Sequence, residues 1–338
     1  MSDAEFYDAM HEMIFRLGDN HSRYFSPEEA RTQDEAFTEG INYAGIGVYT
    51  STVPDRRLVT LIGVFPGSPA EQAGLRLHDN ILAVDGVPVV DENGVKQELL
   101  PGPAGTTINL TVQTPGENPR DVTITREEVS GPLPIDYRVL TTASGKRIGY
   151  IFLLAFNDSS VGQQVGAALQ EMANSGPLDG IILDQRFNTG GRSDVLAETL
   201  AYFTNGTGGY FINRQGQFPI DISGMDITGS QTVPLVALVG PGSVSFGEVF
   251  PGILKDLGRA YLIGETTNGN VELLYTHNFS DGSRALLAEG TFRPFTNPNQ
   301  NWEETGIIPD LTVASNWDQV TTLSDPAIQA ALQYFDSQ

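Results

Sequence analysis

Residues 234–258 read PLVALVGPGSVSFGEVFPGILKDLG. The opening PLVALVG is a continuous apolar run closed by glycine, the pattern of a strand buried on both faces. The turn Pro241-Gly242-Ser243-Val244-Ser245 follows, and the chain then runs straight into an amphipathic helix from Phe246. A strand that passes through a serine-bearing elbow into a helix is a unit of α/β architecture. It exposes a serine at the edge of the sheet, with the free N–H groups of the helix aimed at it. Ser243 and Ser245 each suit two roles there, nucleophile or helix cap.

Strands and helices alternate on both sides of this unit. RIGYIFLLAF precedes SSVGQQVGAALQEMANSG, GIILDQRF precedes the turn Asn188-Thr189-Gly190-Gly191 and another helix, and AYLIG, VELLYTHNF and SRALLAEGTF follow. This order predicts an α/β core of mainly parallel sheet with covering helices over residues 131–338, closed by a capped helix from Ser324-Asp325-Pro326. Adjacent glycines at 190 and 191 allow close backbone approach to a ligand, and their N–H groups can face a developing oxyanion. At the other end, residues 1–40 form a helical lead-in. Phe6, Met10, Met13, Ile14 and Leu17 recur at helical spacing before Gly18, and Ser26-Pro27-Glu28-Glu29 opens a second helix predicted to reach Glu35.

Residues 41–130 have a different texture. The runs GIGVYT, RLVTLIGVF, NILAVDGVPV, TINLTVQT and DVTITRE are short and β-rich, and PGSPAEQAGL between the second and third reads as a capped short helix. The stretch resembles a PDZ domain inserted between the lead-in and the core. That resemblance puts a carboxylate-binding loop at Gly45-Ile46-Gly47-Val48, whose N–H groups would hold the C-terminus of an extended peptide.

The chain of 338 residues carries 42 Asp and Glu against 19 Lys and Arg, a net charge of −23, so nucleic acid and acidic membrane surfaces are repelled rather than bound. No apolar run approaches the ~20 residues of a membrane-spanning helix. The opening MSDAEFYDAMHEM has neither a basic nor an apolar leader region, so an export leader is not expected within it. Zero cysteines exclude disulfides, thiolate nucleophiles and cysteine-based metal sites, and fit an exported bacterial protein of the periplasm, envelope or exterior. The histidines are scattered, and no Walker loop or dinucleotide fingerprint appears, so neither a metal nor a cofactor is expected.

Together, Asp19-Asn20-His21-Ser22, the PDZ-like segment, LDQRFNTGG, PLVALVGPGSVSFGE, LGRAYLIGETTNGN, FSDGSRALL, GIIPDLTV and DPAIQAAL resemble the C-terminal processing (tail-specific) peptidases, serine peptidase family S41. The resemblance implies a serine endopeptidase acting on protein or peptide substrates recognised through their C-termini. It makes Ser245 the nucleophile and the N–H groups of Gly190 and Phe246 the oxyanion hole. The family's catalytic lysine is missing: a gapless register sets Asn270 at its position and Leu274 at that of the companion glutamine. Asn cannot accept the serine proton and Leu cannot hydrogen-bond. Only Lys96, Lys146 and Lys255 exist, and Lys255 lies about three helical turns, or ~15 Å, from Ser245.

The remaining candidates for a base are His11, His21, His78 and His277. The tricorn-type relatives bring a histidine from the N-terminal region to the serine and support it with a glutamate. That likeness assigns His21 as base and Glu303 as its acid, with Glu304 the alternative acid and His277 the alternative base. His21 equally suits a structural role in the lead-in. Without a base the chain would be an inactive pseudopeptidase that binds peptides. As a catalytic base, His21 would be expected to titrate between about pH 6 and 7.

Overall fold

The computed structural model describes residues 2–19, 21–31, 41–132 and 135–338. The predicted helix end at Glu35, and Asn20 of the front motif, lie outside these. The chain forms two compact units: residues 1–38, 137–314 and 330–338 make one, and residues 39–136 with 315–329 make the other. Residues 315–329, expected in the core, therefore group with the smaller unit, and the lead-in groups with the larger.

The larger unit holds a six-stranded sheet in the order Asp136–Thr141, Arg147–Phe152, Gly180–Asp184, Leu235–Val239, Tyr261–Gly264, Leu311–Thr312. Pairing is parallel from the second strand to the last. Gly180–Asp184 and Leu235–Val239 are buried at every position, as their unbroken apolar runs require of a sheet covered on both faces. The helices Val161–Asn174, Ser193–Ala201 and Phe246–Asp256 follow their strands.

The expectation of one mainly parallel sheet needs correction. A second, antiparallel sheet runs Arg23–Phe25, Arg284–Pro294, Gly206–Asn213, Gly216–Ile222, with Leu273–Asn278 also paired to Arg284–Pro294. VELLYTHNF and SRALLAEGTF are thus a hairpin, not successive parallel strands. Phe246 packs on Phe211, Phe211 on Phe292, and Phe292 on Trp302, so an aromatic column ties the serine helix to this sheet. The lead-in helix runs Asp3–Phe15 with a capping box between Ser2 and Glu5. Its apolar stripe is only partly used. Ile14 is buried against Tyr24 and Ala285, whereas Phe6, Met13 and Leu17 remain exposed.

A buried ion pair underlies the turn that carries Gly190. Arg186 and Asp184 are 2 % and 0 % exposed; the guanidinium donates to both carboxylate oxygens at 2.9 and 2.6 Å, and the Tyr150 hydroxyl donates to Asp184 at 2.8 Å. Removing one charge strands the other in the core, so urea unfolding of Asp184→Asn is expected to show a loss of about 3–5 kcal/mol against the parent. A loss below ~1 kcal/mol would mean that the pair contributes little to holding this turn.

The smaller unit is a sheet in the order Val48–Val53, Leu58–Val64, Asn80–Val84, Thr107–Gln113, Arg120–Thr125, with Ile41–Gly45 pairing separately to Glu127–Gly131. The predicted short helix is Pro69–Gln72, capped by the Ser68 hydroxyl. Ile46, Val59, Leu61, Ile81, Leu110 and Val112 form its core. Val48–Val53 pairs on one side only among the described residues, which leaves the edge next to the GIGV loop open.

Candidate active site

The elbow separates the two serines by role. Ser243 is fully buried; its hydroxyl accepts from Gly240 N–H at 3.2 Å and donates to the Gln185 carbonyl at 2.8 Å, so it ties the elbow to the neighbouring turn. Ser245 is the residue before the helix, but its side chain makes no capping bond. Its backbone lies at φ 58°, ψ −126°, a conformation that costs a non-glycine residue ~1–3 kcal/mol and is held by its surroundings. The backbone N–H of Phe246 has no acceptor among the described residues, whereas those of Gly247 and Glu248 are used within the elbow.

Gly190 packs directly on this serine. A Cβ there would sit 2.8 Å from Ser245 Cβ and 2.9 Å from the Phe246 nitrogen, and its φ of +85° also disfavours a side chain. Of the two expected oxyanion donors, Phe246 N–H is open, while Gly190 N–H donates to Asn188 Oδ1 at 2.9 Å. The Ser245 cleft, of about 380 Å³, is lined by Phe211, Phe218, Phe246, Leu273, Leu274 and Tyr275, with Gly191, Ser193 and Glu272. Apolar walls beside a hydroxyl and an N–H suit an extended peptide with a large apolar side chain.

Position 270 lies beside Ser245, whose N–H donates to the Asn270 carbonyl at 2.9 Å. Asn270 is 8 % exposed, and its Oδ1 is buried without a partner. The loop is clamped by Glu248, which accepts from Thr267 Oγ1, from Gly269 N–H at 2.7 Å and from Asn270 N–H at 2.8 Å. Burial raises the Glu248 carboxyl, and these donors oppose the rise. Sequence reading missed this residue. Its signal was a lone carboxylate in the otherwise apolar helix segment FGEVFPGIL.

The other proposed members do not meet. Ser245, His21 and Glu303 make no hydrogen bond to one another, and no lysine reaches Ser245. Lys255 binds Asp310 and the Ile308 carbonyl, Lys146 the Phe335 carbonyl, and Lys96 Glu98. His277 pairs with Glu289, His11 with Glu29, and His78 with Thr321. His21 is 8 % exposed with its Nδ1 unpartnered. Burial, with the Arg23 charge adding and Asp19 opposing, lowers its pKa to about 4, well below the expected 6–7.

Glu303 accepts from Val271 N–H at 2.6 Å. Burial pushes its carboxyl up to about 7, and the charges of Glu272 and Glu248 add to the rise. Glu304, the alternative acid, is exposed. Glu272 is the side chain common to the Ser245 cleft and a neighbouring groove lined by Asp19, Ser22 and Ala288, and burial with the Asp19 charge raises its carboxyl too. Acids therefore link the loop beside Ser245 to the turn that holds His21.

Family models match residues 147–313 as peptidase family S41 and residues 63–114 as a PDZ domain. The carboxyl-terminal-processing protease of Synechocystis is 31% identical over 97% of this chain and 76% of its own length. The chain belongs to peptidase family S41. A second family member, the carboxyl-terminal-processing protease of Picosynechococcus, is 30% identical over 97% of this chain and 78% of its own length. The solved structure of a photosystem II D1 C-terminal processing protease matches with a TM-score of 0.61 at 26% identity, over 93% of this chain and 83% of that one. The S41 fold with its PDZ domain, mixed sheets and helices is thus present.

This arrangement predicts the outcome of restoring the missing lysine. Asn270→Lys would place an ammonium on a loop whose backbone N–H groups bind Glu248 and Glu303, and carboxylates this close favour the protonated ammonium, which cannot take the serine proton. Peptide hydrolysis by Asn270→Lys is expected to stay within ~3-fold of the parent in kcat/KM. A gain of ~100-fold or more would instead reveal an intact lysine pocket.

Proposed function

We propose that this chain is a PDZ-containing serine endopeptidase that forms an acyl-enzyme through Ser245. The observation that carries the reading is Ser245 itself: a strained residue at a strand-to-helix elbow, its hydroxyl uncommitted, on an apolar cleft beside the open Phe246 N–H. In this reading Ser245 Oγ attacks the scissile carbonyl as its proton passes to the base. The Phe246 N–H donates to the resulting oxyanion, and Gly190 N–H joins it by exchanging Asn188 Oδ1 for that oxygen. Collapse expels the amine, which takes the proton, and water then hydrolyses the acyl ester.

His21 is the proposed base and Glu303 its acid. A neutral imidazole with an unpartnered Nδ1 supports the assignment, which requires the Asp19–Ser22 turn to close on the cleft when substrate binds. The loop Gly45, Ile46, Gly47, Val48 beside the open edge Val48–Val53 is proposed to receive substrate C-termini. Absence of cysteine supports action in the periplasm, envelope or exterior of a bacterium, which fractionation of the source cells would test.

One observation favours a second reading, a peptide-binding module without turnover: among the described residues, no base touches the Ser245 hydroxyl. Covalent labelling with a fluorophosphonate decides between them. Labelling lost in Ser245→Ala supports the peptidase, and no labelling of the parent supports the module.

A further inference from the structure

The carboxylate-binding loop assigned above is already occupied. The Tyr43 phenol oxygen accepts from Gly47 N–H at 3.1 Å and from Val48 N–H at 3.0 Å, and its O–H donates back to the Val48 carbonyl at 3.3 Å. These two N–H groups belong to the four residues that resemble a PDZ loop, and a terminal carboxylate would use the same donors. The ring has its own seat. A Cβ at Gly45 would lie 2.3 Å from Tyr43 Cε2 and 2.9 Å from Cδ2, so glycine there makes room for the phenol to fold back over the strand. Ile46 is fully buried and Gly47 O accepts from Phe65 N–H and the Ser68 hydroxyl, so the loop is rigid while its donors face the phenol.

We propose that Tyr43 is an intramolecular stand-in for a peptide C-terminus, so that a substrate tail enters this site only by displacing the phenol. The proposal rests on the reading of Gly45–Val48 as the peptide-binding loop. Chemistry sets the order of preference. A neutral phenol is a weaker acceptor than a carboxylate, because hydrogen bonds to an ionised acceptor are roughly twice as strong. Burial keeps the phenol protonated by raising its pKa, so it never offers an anion of its own. The displaced phenol would leave both N–H groups to the carboxylate, and the open edge Val48–Val53 would pair with the peptide backbone behind it. Tyr43 thereby lowers the affinity for every ligand by the fraction of time the loop stands open, and only a ligand with a strong acceptor at its end overcomes this. Sites on folded proteins or peptide amides are excluded, and free C-termini are admitted.

The test titrates one apolar-ended peptide, as free acid and as amide, into the full-length parent, Tyr43→Phe and Tyr43→Ala. Tyr43→Phe keeps the ring over Gly45 and removes only the oxygen, so the free acid should bind about ten-fold more tightly than to the parent, with Tyr43→Ala at least as tight. If the three proteins bind the acid equally, and better than the amide, the stand-in role is overturned while the peptide-binding reading survives. If none prefers the acid to the amide, both fall. Should the variants fold poorly, nitration of the parent by tetranitromethane, mapped by mass spectrometry, answers the same question. The free-acid peptide should raise modification of Tyr43 as the ring leaves its seat, and unchanged or reduced modification would overturn the proposal.

Discussion

Ser245→Ala is expected to abolish covalent labelling by a fluorophosphonate and to lower kcat/KM at least ~10³-fold on any peptide that the parent cleaves. The chain has no cysteine, and Ser243, two positions away, is buried with its hydroxyl bonded on both sides. The substitution should be nearly silent for folding. The Ser245 side chain makes no hydrogen bond, so its loss strands no buried partner, and Ala occupies the same backbone geometry at the same strain. Thermal unfolding within ~2 °C of the parent would therefore accompany the loss of labelling. Retained labelling in Ser245→Ala, mapped to another residue, would remove Ser245 from its proposed role.

Legibility followed how local each signal was. Leu235–Val239 and Gly180–Asp184 were readable because a strand buried on both faces writes an unbroken apolar run, and Ser245 because its elbow is one continuous stretch. Asn270, which the register set at the position of the missing lysine, lies one hydrogen bond from the Ser245 backbone. The antiparallel sheet was not readable. Gly206–Asn213 opens with GTGG, a poor strand signal, and Arg23–Phe25 pairs with residues some 260 positions away. Glu248 and Tyr43 were missed because each acts through tertiary contacts, a buried carboxylate clamping a distant loop and a phenol folded over Gly45. The depressed pKa of His21 was not legible for the same reason, since burial cannot be read from residue type.

His21→Ala is expected to lower turnover by roughly 10²–10⁴-fold, the contribution of a positioned general base, and to be non-additive with Ser245→Ala. The pH profile should nevertheless not report His21. Its pKa of about 4 leaves the imidazole neutral and ready to accept a proton at every pH above ~5. Glu303 is the group that titrates near neutrality. Burial first, then the charges of Glu272 and Glu248, hold its carboxyl near 7, so it is protonated below that pH and ionised above it. A supporting acid stabilises the imidazolium only as the anion, so activity should rise with pH through about 7. Glu303→Gln should flatten that rise and cost less than His21→Ala, because it perturbs orientation rather than removing a reacting group. Glu272→Gln should keep the rise but move it to lower pH, since it removes one of the charges that oppose ionisation of Glu303. Profiles of kcat/KM against pH for the parent and these variants discriminate the assignments. A rise that survives unchanged in Glu303→Gln would detach Glu303 from the reaction, and full activity in His21→Ala would leave Ser245 to act with another base, Glu272 being the carboxylate among the residues that line its cleft.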